Sequence, residues 1–93
     1  MPKYVIERNL PGAGQLRPDQ LQAIAHRSNE VLDALAGRAQ WVHSYVTDDK
    51  LYCVYIADDE ATIAEHAAAG PFPCDAAKRV RTVIDPTTAE VAA

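Results

Sequence analysis

Hydrophobic and polar positions change period several times along the chain, and each change predicts an element. Tyr4-Val5-Ile6, inside the stretch from Lys3 to Asn9, is aromatic and β-branched and gives way to Leu10-Pro11-Gly12-Ala13-Gly14; this predicts a strand closed by a turn. From about Pro18 to Ala36 the period becomes helical: Leu21, Ile24, Ala25, Ser28, Val31, Leu32 and Leu35 form one stripe. Pro18 suits a first helical position, Asp19 puts negative charge in the first turn, and Gly37 supplies the stop. Two strands follow, roughly Gln40–Thr47 and Lys50–Ala57, with Asp48-Asp49 as a tight turn between them. A second helix is predicted from about Asp59 to Ala69, capped by Asp58 or Asp59 and ended by Gly70-Pro71. The last strand is expected at about Lys78 to Ile84, before Asp85-Pro86, and the tail from Thr87 to Ala93 has little to anchor it.

The order β-α-β-β-α-β is that of a ferredoxin-like plait, an α+β fold. It implies a four-stranded antiparallel sheet with two helices on one face, and a single domain spanning residues 1–93. A turn at Asp48-Asp49 pairs Val46 with Leu51, Ser44 with Cys53 and Val42 with Tyr55. Trp41, His43, Tyr45, Tyr52, Val54 and Ile56 then share the opposite face, which the helices cannot cover. A wet sheet face would alternate with polar residues. This one does not, so a homodimer through the helix-free face is expected, with two-fold symmetry as the simplest assembly.

Composition sharpens that expectation. The chain is 48% hydrophobic, but 17 of its 45 apolar residues are alanine, five of them in the second helix (Ala61, Ala64, Ala67, Ala68, Ala69). A core padded with alanine gains little from burial. The formal net charge of −4 argues against nucleic acid as a partner, because phosphate neutralisation needs a basic surface. Lys78, Arg79 and Arg81 form a local basic cluster that reads as a solvated strand face. No apolar run is long enough to span a membrane, no signal-peptide pattern opens the sequence, and the two cysteines make no disulfide framework; a cytoplasmic protein is expected.

Few residues carry candidate chemistry. His26 lies opposite the apolar stripe of the first helix and is expected in solvent. His66 follows Ile63 by three residues and borders the buried side of the second helix. His43 and Cys53 lie in the two most apolar strands. These three are ligand types for a divalent metal, with Glu7, Glu65 and Cys74 as possible additional donors. Their spacing matches no established metal motif, and an even hairpin register places His43 and Cys53 on opposite faces; only an odd loop or a bulge would join them. Gly12-Ala13-Gly14 lacks the third glycine of a phosphate cradle and reads as a loop.

Several blocks taken together resemble a family of small bacterial nickel-binding proteins, formerly a domain of unknown function. They are Tyr4-Val5-Ile6-Glu7-Arg8, Trp41 through Lys50, Tyr52-Cys53-Val54-Tyr55-Ile56-Ala57, Glu65-His66, and Gly70 with Phe72-Pro73. The resemblance runs from Tyr4 to about Pro86. It implies a ferredoxin-like fold that dimerises as an α/β barrel and binds nickel. His43, Ser44, Tyr45, Cys53, His66 and Pro73 fall within its pattern; Cys74 does not, and Ile56 stands where some relatives carry an acid. The expected function is therefore a small Ni²⁺-binding protein rather than an enzyme, holding the ion through His43, Cys53 and His66. Zn²⁺ and Cu²⁺ suit the same donors. A monooxygenase-like enzyme of the dimeric α/β-barrel type, or a non-catalytic ligand-binding dimer, are the alternatives.

Overall fold

The computed structural model describes residues 1–90, and residues 91–93 of the expected tail lie outside the described residues. Four strands, β1 (Lys3–Asn9), β2 (Ala39–Val46), β3 (Lys50–Ala57) and β4 (Ala76–Arg79), form one antiparallel sheet in the order β2-β3-β1-β4. Helices α1 (Pro18–Ala34) and α2 (Glu60–Ala69) cover one face. This is the expected ferredoxin-like plait. No helix among the described residues is long and apolar enough to cross a membrane.

Local chemistry explains the boundaries. Pro18 opens α1, and the Gln20 side chain accepts from the Arg17 backbone N–H. The helix stops two residues earlier than expected, because Ala36 and Gly37 both adopt left-handed backbone. Asp59 caps α2 by accepting from the Thr62 N–H at 2.8 Å. The Asp48-Asp49 turn has no glycine of its own and is held from outside. Leu10 N donates to Asp49 O, Gly12 N to the Asp49 carboxylate and Gly14 N to Asp48 O, all within 3.0 Å. A Cβ at position 14 would stand 2.9 Å from Asp48 Cα, so this approach requires glycine.

The last strand departs from expectation. It begins at Ala76 and ends at Arg79, not Lys78 to Ile84. Tyr4 pairs with Arg79, and Val80 N donates to Lys3 O. Beyond Val80 the antiparallel partner has run out, so the β-branched run Val83-Ile84 has no ladder to join and is exposed. The following Pro86–Ala89 forms a short 3₁₀ turn capped by Asp85 and exposed throughout.

A bulge in β2 is the second departure. From the turn, Val46 faces Leu51, Ser44 faces Cys53 and His43 faces Val54, as the even register requires. The register then shifts between Trp41 and His43, so Trp41, and not Val42, pairs with Tyr55. Trp41 thereby joins the helix-covered face and packs against the core, its ring 6.4 Å from that of Tyr55. The bulge lies on the N-terminal side of His43 and leaves that residue opposite Cys53's face.

The core lies between sheet and helices, built from Tyr4, Ile6, Leu35, Leu51, Cys53, Tyr55 and Ile63 with Ala13, Ala39 and Ala57. The helix-free face carries His43 and Tyr45, both exposed, beside half-buried Tyr52, Val54 and Ile56.

Candidate functional site

Strand alternation puts Tyr4, Ile6 and Arg8 of β1 on the helix-covered face. Arg8 is therefore a charged residue in the core, 3% exposed. Its Nε donates to Cys53 Sγ at 3.4 Å and its Nη1 to Pro73 O at 2.6 Å, while its buried Nη2 has no partner among the described residues. The guanidinium lies over the rings of Phe72 (5.5 Å) and Tyr55 (5.9 Å). No carboxylate of the described residues lies within salt-bridge distance of it.

Next to this cation sits a second polar group from the helices. The stripe of α1 delivers Ser28, whose Oγ is 3.1 Å from both Tyr55 Oη and His66 Nε2. His66 is 1% exposed, its ring between those of Tyr55 (5.0 Å) and Phe72 (5.3 Å). Burial, and after it the charge of Arg8, push its pKa down to about 4, so it is neutral at pH 7. Phe72 reaches this position because residue 70 is glycine: a Cβ there would strike the Phe72 ring at 2.2 Å. Burial also raises the Tyr55 pKa, so the phenol stays protonated.

Arg8, Ser28, Cys53, Tyr55 and Phe72 line a cavity of about 570 Å³, with His66 packed behind Tyr55 and Phe72. Leu21 and Ile24 of α1, Trp41 and Pro73 line it as well. The alternation of β1 could have revealed Arg8: with Tyr4 and Ile6 facing the core, a strand continuing to Asn9 carries Arg8 there too.

The expected metal donors are distributed differently. Cys53 and His66 share the helix-covered side, where Arg8 donates to Cys53 Sγ and Ser28 Oγ engages His66 Nε2. His43 lies on the other side of the sheet, its ring edge-on to Tyr45 at 4.9 Å. Glu7 shares that side and is paired with Lys50. Glu65 projects from α2 into a two-pronged ion pair with Arg38, at 3.0 and 3.1 Å, which lowers its pKa. Cys74 is an exposed free thiol in the loop before β4. The three principal donors thus do not converge within one chain, and among the described residues no three His, Cys, Asp or Glu side chains come together to hold a metal ion. A divalent cation beside Cys53 would also face the buried guanidinium. His26 is exposed as expected, 3.7 Å from Glu30 one turn on.

A family model described as nickel responsive protein, SCO4226-like, matches residues 4–80. The crystal structure of SCO4226 from Streptomyces coelicolor A3(2) is similar, with a TM-score of 0.74, and the match covers 88% of this chain and 99% of that one. Sequence identity across the match is 10%, so the likeness is one of fold. No curated protein sequence matches the chain.

Proposed function

Because the chain belongs to the SCO4226-like family of nickel responsive proteins, we propose that it is a small cytoplasmic Ni²⁺-binding protein, not an enzyme, and that it works as a homodimer. The observation that carries the reading is the state of His43. Its imidazole is exposed and hydrogen-bonded to no described residue, whereas Cys53 Sγ and His66 Nε2 are engaged beside a buried cation. Imidazole is a good donor for Ni²⁺. Tyr45, edge-on to the ring, limits how it can turn. One histidine is a weak site. A two-fold axis through the helix-free face supplies a second His43 and covers Tyr52, Val54 and Ile56 in the same step. Glu7 lies on the same face and would have to leave Lys50 to serve as a further oxygen donor.

Calorimetric titration of Ni²⁺ into the metal-free chain tests the site. Wild type should bind; His43→Ala should weaken binding by about tenfold or more, in the range expected for altering a metal's ligand environment; His66→Ala should leave it unchanged. Zn²⁺ and Cu²⁺ should compete, since donor type alone does not select among them. No heat with wild type ends the proposal. Loss in His66→Ala with none in His43→Ala would return the ion to the helix-covered side.

Sedimentation equilibrium at micromolar concentration tests the assembly separately. A species of twice 10.1 kDa is expected. Val54→Asp should dissociate it, because a buried unpaired carboxylate is costly. A wild-type monomer at that concentration overturns the dimer.

A further inference from the structure

The cavity beneath α1 is not needed for the nickel reading, and its chemistry points to a different ligand. Buried charges are ordinarily paired, because an unpaired one carries most of its desolvation cost. Among the described residues Arg8, 3% exposed, has only a thiol and a carbonyl as partners, with Nη2 on nothing. Arg27 is the other charged residue lining the cavity; its guanidinium already donates to Ala69 O and Gly70 O, both at 2.9 Å. Among the described residues no acid lines the cavity. His66, neutral at pH 7, adds no second charge. The result is one buried positive charge without an ion partner in a largely apolar space, with the exposed Arg27 as a second cation along its lining, and the space is within the volume range of small-molecule sites.

We propose that this cavity binds a small apolar monocarboxylate, its carboxylate paired with Arg8 and its hydrocarbon body against Trp41, Leu21, Ile24 and Phe72. A planar guanidinium with a free prong matches a carboxylate. A metal cation would be repelled by the guanidinium. The site lies across the sheet from His43, so it operates with or without the nickel site.

Trp41 is the only tryptophan in the chain and lines the cavity, so its fluorescence reports occupancy directly. The full-length protein, in buffer with EDTA, is titrated with octanoate and in parallel with 1-octanol. Octanoate should change the emission saturably and bind about tenfold or more tighter than the alcohol, as charge-assisted pairing requires. Arg8→Met should bring the two to equal affinity. The wild-type comparison stands even if Arg8→Met does not fold. No saturable change, or equal binding of acid and alcohol by wild type, overturns the proposal. EDTA keeps the result independent of nickel binding.

Discussion

Lowering the pH from 7 to 4 is expected to remove on the order of 3 kcal/mol of stability through His66 alone, from a shift of roughly two and a half pKa units. The folded pKa is about 4 against an ordinary 6.5. Between those values the unfolded chain binds a proton that the folded chain does not. Stability is therefore complete above about pH 6.5, falls as the pH drops to about 4, and then loses nothing more from this residue. The carboxylates held below their usual range by partners, Asp59, Glu65 and Asp85, begin to lose their contributions only below about pH 5, so the fall between about pH 6.5 and 5 reports His66 apart from them. Urea midpoints at pH 7, 5.5 and 4.5 measure the slope at fixed protein concentration. His66→Phe keeps a ring between Tyr55 and Phe72 and should flatten it. Titration of the labelled imidazole by NMR gives an independent reading: a His66 that ionises near 6.5 in the folded protein would refute the account.

Ile6→Ala should cost about 3–4 kcal/mol, in the middle of the range for a fully buried isoleucine. Ile6 is 0% exposed on β1, with β3 and β4 on either side, opposite Cys53 and Ala77. The cavity it leaves has few large neighbours able to collapse into it, since four of the twelve buried hydrophobics are alanine. A domain of this size is typically stable by roughly 5–14 kcal/mol, so one buried aliphatic side chain is a large share. Ile84→Ala is the control. At 77% exposure it should move stability by less than about 0.5 kcal/mol. Denaturant unfolding of both variants decides the matter; similar losses would mean that the tail packs more, or the core less, than described.

Much of this architecture was legible in the sequence because hydrophobic period and cap chemistry act locally. Lys3–Asn9, Lys50–Ala57 and the second helix follow from alternation, β-branching and the Asp59 cap, and the family resemblance is borne out by the match over residues 4–80. The misplaced last strand failed for a non-local reason. Val80 to Ile84 has strand chemistry, but a strand exists only where a neighbour offers hydrogen bonds, and β1 ends at Lys3. The bulge failed for the opposite reason. Trp41-Val42-His43 is bulky at every position, so nothing in it marks which residue is the extra one. Of the site, Ser28 and His66 were visible as buried-side residues. Arg8 was not assigned, because a charged side chain at a strand's end is usually solvated, and only its alternation with Tyr4 and Ile6 says otherwise.

The bulge at Val42 has an evolutionary consequence. Trp41 pairs with Tyr55 and His43 with Val54, so Val42 alone is unmatched across the ladder. A lineage that lost this residue would regain one-to-one pairing while every other side chain of β2 kept its face. Elsewhere within the strand a one-residue deletion would turn all positions on one side of it to the wrong face. Position 42 is therefore where homologous chains can differ in length inside a strand without exchanging the surface that presents His43 for the one that holds Trp41.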